Sequence, residues 1–215
     1  MWTSAKGAEN VEARRRDLLE KGFEVFSKRS IESASMQDIA DAVGCGIASV
    51  YRYFRTKQIF VVSVATWKWE QFLAENKTRR PEKNFEGMTA AEIFNFFLDT
   101  FLLLYRDHRD MLRFNQFFNI YIETENIDPD VLKPYLEMIQ RMGKQFHVMY
   151  QKAVQDKTIR TDEPEELMFS KTLHLMLAAA TRYAVGLVYI PDKGFDPMEE
   201  LLFQKDLFLM KYKTN

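Results

Sequence analysis

Apolar residues recur at three- and four-residue spacing along almost the whole chain, and the scarce glycines and prolines fall where helices should start or stop. That periodicity predicts an all-α fold of about nine helices. Leu18, Gly22 and Phe26, flanked by Leu19 and Phe23, make one apolar stripe on a first helix, whose other face carries Arg14, Arg15, Arg16, Glu20 and Lys21. Capping chemistry marks later starts, where a side-chain oxygen accepts a free amide and an acid three residues on answers back. The candidates are Ser35 with Asp38, Thr89 with Glu92, Asp107 with Asp110, Asp162 with Glu165, and Asp196 with Glu199. Pro197 and Pro129 sit at first helical positions, where a missing N–H costs nothing. The polar stretch from Lys77 to Met88 separates a front section from a larger rear one. The front holds three short helices and a connecting helix over about 56–76, and five more helices follow. The expected division is 1–57 as one domain and 58–215 as a helical bundle.

Within the front section, Ile39, Ala40 and Val43 share a face of the helix that Ser35 opens. Gly44 can take the left-handed conformation that stops this helix, and Cys45 and Gly46 complete a turn of about three residues. On the helix after the turn, Val50 and Phe54 point back at Ile39 and Val43, with Ala40 small enough to let the two helices cross. Ile47, Ala48, Ser49, Arg52 and Tyr53 are then left outside, with Tyr51 at the edge. Two tyrosines, two arginines and a lysine within 51–57 are too polar for a core and too aromatic for a solvated face. A helix-turn-helix accounts for them, its second helix lying in the DNA major groove. Tyr51 and Tyr53 are expected to donate to phosphates, Arg52 to reach a guanine edge or a phosphate, and Lys57 to add charge beside the backbone. Gly46 starts that helix, and Ser35 with the amides behind it favours another phosphate.

Charge and cysteine content add little to this picture. Thirty basic and thirty-one acidic residues nearly cancel over 215 positions, but residues 1–57 hold ten basic against eight acidic. The sole cysteine, Cys45, forms no intramolecular disulfide. The N-terminus lacks the basic start and apolar run of a signal peptide, and the longest apolar run, from Leu173 to Ile190, is broken by His174, Thr181 and Arg182. A soluble, cytoplasmic protein with no membrane partner is expected. His108, His147 and His174 lack ligand-spaced partners, and the glycines form no phosphate loop. Neither a metal, a cofactor nor catalysis is therefore expected.

The segment from about Arg14 to Phe72 resembles the N-terminal domain of the TetR family of bacterial regulators. In that family Ile-Ala, Ala-Gly-Val-Ser and Leu-Tyr-x-Tyr-Phe followed by Lys recur at these spacings. Here they read Ile39-Ala40, Val43-Gly44-Cys45-Gly46 and Val50-Tyr51-Arg52-Tyr53-Phe54, then Lys57. Gly46 stands where the family usually has a capping serine, and Ala48 where it often has glycine. The resemblance implies a ligand-responsive homodimeric repressor that grips palindromic operator DNA with a helix-turn-helix and is released or altered by a small apolar or aromatic effector.

Two rear features suit that expectation. Phe94, Phe97, Leu98 and Phe101 form one stripe, and Phe114, Phe117, Phe118 and Tyr121 another. With Met142 and Met176 they suit an adaptable cavity, and His147 and His174 are candidates to orient a ligand in it. The segment from Leu173 to Val188 is apolar nearly all round, so it has two faces to bury. Ala178, Ala179 and Arg182 on it, with Leu202 and Leu209 on the following amphipathic segment, are the candidate contacts of a two-fold interface; the alternative for this segment is a place wholly inside its own bundle. A rival reading keeps the helices but not the DNA: a carrier or sequestering protein for apolar ligands with an idle helix-turn-helix.

Overall fold

The computed structural model describes residues 5–79, 85–186 and 194–214. Among these, nine α-helices occur, with one short 3-10 turn and no strand. The helices are α1 (Ala5–Lys28), α2 (Met36–Val43), α3 (Ile47–Tyr53), α4 (Lys57–Arg79), α5 (Ala90–Asp107), α6 (Arg109–Thr124), α7 (Pro129–Asp156), α8 (Glu165–Ala184) and α9 (Pro197–Tyr212). The chain condenses into two compact units, residues 1–72 with 114–138, and residues 73–113 with 139–215.

Most of the starts follow their capping residues. Ser35 and Thr89 each close a full reciprocal box with the acid three residues on. Asp196 accepts the Met198 amide at 2.8 Å ahead of Pro197, and Asp128 accepts the Asp130 amide at 2.9 Å ahead of α7. Two starts differ from expectation. α5 runs through Asp107, whose carboxylate pairs with Arg106 at 2.9 Å, so the carbonyl of His108 takes the first amides of α6. Likewise Asp162 pairs with Arg160, and α8 opens at Pro164 with no side-chain cap. A neighbouring guanidinium holds the carboxylate that an orphan amide would otherwise claim.

In the first unit, Leu18, Leu19, Phe23 and Phe26 of α1 are buried, as the stripe predicts. Aromatic rings tie this core together. Phe26 meets Phe60 of α4 at 5.8 Å between centroids, and Phe60 meets Phe54 edge-on at 4.8 Å. Phe114 of α6 packs edge-on against Phe23 at 5.5 Å and stacks on Phe26 at 6.5 Å, and Phe118 meets Tyr135 of α7 at 4.8 Å. Residues 114–138, which follow residue 58 by more than fifty positions, therefore complete the core that α1 to α4 begin.

The second unit is built on one apolar cluster. It joins Ile93, Phe94 and Leu98 of α5, Phe146, Met149 and Ala153 of α7, Met168 and Met176 of α8, and Phe208 and Tyr212 of α9. α5 packs against both α8 and α9, and these two pack on each other. At one end the chain is clasped: Arg160 donates its amide to the Tyr212 carbonyl at 2.7 Å, and Thr214 donates to the Thr158 carbonyl at 3.1 Å. The start of α5 is doubly satisfied there, because Asp156 accepts the Ala90 amide at 2.7 Å and Thr158 accepts that of Ala91 at 3.0 Å. No helix among the described residues is long and apolar enough to cross a membrane.

Candidate nucleic-acid interface

α2 and α3 owe their crossing to small and left-handed residues at the expected places. Gly44 adopts φ 71°, and its amide reaches the carbonyls of Ala40 and Asp41, which ends α2. A residue with a Cβ is strained at that φ. Gly46 is extended and caps α3 with no side-chain bond. Ile39, Ala40, Val50 and Phe54 are fully buried between the helices, and Val43 is half-buried. α2 packs against α1 as well as α3, so the hairpin rests on the long first helix.

The opposite face of α3 is open. Ile47 is 37% and Tyr51 44% exposed, and Gly46, Ala48 and Arg52 are also exposed. Ser49 and Tyr53 are half-buried. The Arg52 guanidinium lies 5.5 Å above the Tyr53 ring, an arrangement that stiffens a long side chain without using any of its five donors. Arg15 of α1 covers the Phe54 ring at 5.4 Å, so the residue that ends α3 is held from below by Phe60 and from the side by a cation.

Two of the predicted contacts are engaged by the protein itself. The Ser35 hydroxyl accepts the Asp38 amide at 3.1 Å and donates to the Asp38 carboxylate at 2.7 Å. That carboxylate takes the Ser35 amide at 2.7 Å and sits 3.5 Å from Arg29. Donation from the Ser35 amide and hydroxyl, with Arg29 nearby, holds Asp38 below the usual carboxylate range. Lys57 donates to the Glu32 carbonyl at 3.4 Å and lies 5.8 Å above the Tyr121 ring. Burial there lowers the lysine below its ordinary value, with Glu125 and Glu32 acting in the opposite sense. Burial likewise pushes the Tyr121 hydroxyl up to about 12, so it stays protonated at any physiological pH.

The ten candidate effector residues divide between the two units. Phe114, Phe118 and Tyr121 are buried and Phe117 half-buried in the first unit, whereas Phe97, Phe101, Met142, His147, His174 and Met176 belong to the second. Met176 is fully buried in the second core, and the half-buried Phe97 and Phe101 lie against it. His147 and His174 are exposed; His147 pairs with Glu165 at 2.8 Å, and His174 bonds Ser170 at 3.2 Å. His147 borders a surface cleft of about 340 Å³ with Gln140, Lys144, Glu166 and Phe169. Two half-buried rings that periodicity did not single out, Phe85 and Phe169, also adjoin the core: Phe85 meets Phe97 at 5.8 Å, Phe97 meets the buried Phe146 at 5.9 Å, and Phe146 meets Phe169 at 5.3 Å. Buried in the same unit, the Thr181 hydroxyl has no hydrogen-bond partner among the described residues.

Of the candidate two-fold contacts, Leu202 and Ala178 are exposed, Ala179 and Arg182 half-buried, and Leu209 half-buried against the unit's own core. Leu187 and Val188, at the end of the apolar segment, lie outside the described residues, as do parts of the polar stretch after Lys77. Also exposed on these two helices are Leu175, Leu207, Phe203 and Met210, the last two 65% and 79%. The sequence does hold their signal. On α9, Leu201, Phe208 and Tyr212 face inward, and Phe203, Leu207 and Met210 repeat at four and three residues on the other side. Gln204 donates to the Leu175 carbonyl at 2.9 Å, which sets the exposed part of α8 beside that of α9.

Residues 18–64 match the family described as bacterial regulatory proteins, tetR family. No curated protein matches the chain. Solved structures do. A chain from Saccharomonospora viridis, described as a transcriptional regulator and solved with choline, is 14% identical with a TM-score of 0.73, covering 95% of this chain and 100% of that one. The regulator FadR of Bacillus subtilis, solved with stearoyl-CoA, is 17% identical with a TM-score of 0.69, covering 90% and 97%. A TetR-family regulator from Mesorhizobium loti is 16% identical with a TM-score of 0.66, covering 94% and 98%. These likenesses establish the fold, and the matched family is one of regulators, not of enzymes.

Proposed function

We propose that this chain, whose residues 18–64 match the tetR family of bacterial regulatory proteins, is a homodimeric, ligand-responsive transcription repressor that binds palindromic operator DNA. The observation that carries this reading is the outward face of α3. Ile47, Ala48, Tyr51 and Arg52 stand in solvent, with Ser49 and Tyr53 half-buried beside them, on a helix whose other face is sealed by Val50 and Phe54. In this reading Gly46, Ile47, Ala48, Ser49, Tyr51, Arg52 and Tyr53 form the groove-facing surface. Ser35 and Lys57 lie at its flanks and share with phosphates the donors they already use internally. Residues 1–57 are the DNA-binding part, and 58–215 hold the effector site and the dimer contacts.

Dimerisation is supported by the second apolar stripe of α9. Leu175, Leu202, Phe203, Leu207 and Met210 place large hydrocarbon groups in water on two adjacent helices, and a lone subunit gains nothing from that. Pairing them across a two-fold axis buries them and fixes the spacing of two recognition helices at roughly 34–36 Å or a somewhat longer interval. The effector site is assigned to the second unit, where Phe97, Phe101, Met142 and Met176 offer adaptable apolar walls and Thr181 an unused hydroxyl. A small apolar or aromatic effector fits this lining. Of two relatives in fold, one is solved with stearoyl-CoA, whose acyl chain is apolar, and one with the small cation choline. α4, α6 and α7 each begin in one unit and end in the other, so a ligand favouring one arrangement of the second unit acts on the first through continuous helices. It must bind the two arrangements unequally to shift anything.

Gel retardation with DNA from immediately upstream of the coding region, run at several salt concentrations, tests the proposal. A discrete complex that weakens steeply with salt is expected. Ligand binding with no DNA complex at low salt would instead support the carrier reading.

A further inference from the structure

We infer that the first turn of α3 reads thymine methyl groups, so that the operator half-site places A·T pairs beneath Gly46, Ile47 and Ala48. This inference rests on the DNA-binding reading and adds to it the chemical class of base recognised. A helix start entering the major groove brings its first residues closest to the base edges. Here those residues carry no hydrogen-bonding side chain. Gly46 contributes backbone only, and a Cβ built on it meets nothing within 4 Å, so the helix start is free to approach a surface closely. Ile47 and Ala48 contribute hydrocarbon, and both are exposed.

The one hydroxyl of this turn, on Ser49, is half-buried, and the other nearby polar groups are occupied or lie further along. Gln37 on α2 donates its amide to Asp41 at 2.7 Å. Asp38 is tied to Ser35 and Arg29. Arg52 stacks on Tyr53 in the last turn of α3. Ile47 and Tyr51 lie four residues apart, on one side of the helix, and are among the few large apolar groups that the first unit leaves exposed. An isoleucine is costly in water and gains nothing from a phosphate.

Within the major groove, the only hydrocarbon displayed by any base pair is the C5 methyl of thymine. A G·C pair under Ile47 would lose water from its donors and acceptors and receive no partner in return. Burying one methyl against Ile47 or Ala48 corresponds to roughly a fourfold gain in affinity. A palindrome with one such thymine per half-site then gains about fifteenfold.

The test begins by selecting tight duplexes from a random-sequence library with the full chain. Each thymine of a selected site is then replaced by deoxyuridine, which deletes the methyl and keeps the base pairing. The expected result is a loss of roughly fourfold per methyl at one or more thymines in each half-site. In Ile47→Ala or Ala48→Gly, whose changes lie at exposed positions and leave the fold intact by circular dichroism, the dT to dU ratio falls towards one at those thymines. If the selected sites are sequence-specific yet bind equally with dT and dU throughout, the methyl inference is overturned and the regulator reading stands. If no sequence is enriched and affinity ignores salt, the regulator reading fails and this inference with it.

Discussion

Gly22 lies in the middle of α1, where alanine is ordinarily the better helix former by about 1 kcal/mol. On propensity alone Gly22→Ala should therefore stabilise the protein. The packing argues otherwise. A Cβ at this position would sit 2.4 Å from Cζ and 2.8 Å from Cε1 of Phe60, and 3.1 Å from Val64. Ordinary carbon contacts start near 3.5 Å, so the ring must retreat by about 1 Å. It has nowhere to go, because Phe60 is fully buried between Phe26 at 5.8 Å and Phe54 at 4.8 Å. Overpacking of this kind costs about 1–3 kcal/mol, and more where no ring rotation relieves it. The net expectation is a loss of up to about 2 kcal/mol, which moves a urea midpoint down by up to about 1 M. Phe54 ends α3, so displacement of Phe60 also tilts the recognition helix and weakens DNA binding. Urea melts of wild type and Gly22→Ala at one fixed protein concentration, followed by circular dichroism, give the measurement. The same substitution in a Phe60→Leu background should be neutral or stabilising, because the clash is gone. A higher midpoint for Gly22→Ala in the wild-type background would refute the close approach of α1 and α4.

On the proposed pairing through α9, wild type should be a dimer by light scattering and Phe203→Asp or Met210→Asp a 25.4 kDa monomer with operator affinity reduced at least tenfold, since two recognition helices no longer bind as one unit. An unchanged mass would show that the outer stripe of α9 serves another purpose. Asp156→Asn should lower stability at pH 7 by about 1 kcal/mol, the worth of a capping carboxylate. Burial pushes the Asp156 carboxyl up, but donation from the Thr158 and Ala90 amides outweighs it and holds the group below its ordinary range. Its contribution is then fully present above the ordinary carboxylate pKa of about 3.9 and lost as the pH falls through the lower folded value. Wild type and variant should therefore differ at pH 7 and converge in acid, and a gap that stayed constant as the pH fell would contradict the carboxylate's role.

Much of the reading head was legible because its determinants are local. Ser35 with Asp38, the left-handed Gly44, and the inward pair Val50 and Phe54 each act over four residues or fewer, and each stands where periodicity and capping place it. Asp107 and Asp162 failed by the same locality: Arg106 and Arg160 lie one and two residues away and hold the carboxylates first. The partners of an apolar stripe are less legible. The spacing of Phe114, Phe118 and Tyr121 says that this face is buried, but only tertiary packing places it on Phe23, Phe26 and Lys57. His147 and His174 looked suited to a cavity because of their type, yet Phe146 and Met149 set the inward face of α7 and turn His147 out to Glu165. On α9 a stripe on either side is consistent with the sequence, and burial of Leu201, Phe208 and Tyr212 decides which one remains for a partner.

Contact between the outer face of α3 and a duplex is what DNA binding by this protein requires. Measuring operator affinity between about 50 and 300 mM salt for wild type, Tyr53→Phe and Arg52→Ala addresses it directly. Tyr53→Phe should weaken binding to every sequence alike, and Arg52→Ala should in addition lower the salt slope by about one per lost phosphate contact or blur the choice of base. Identical affinity, slope and base preference in all three proteins would contradict it.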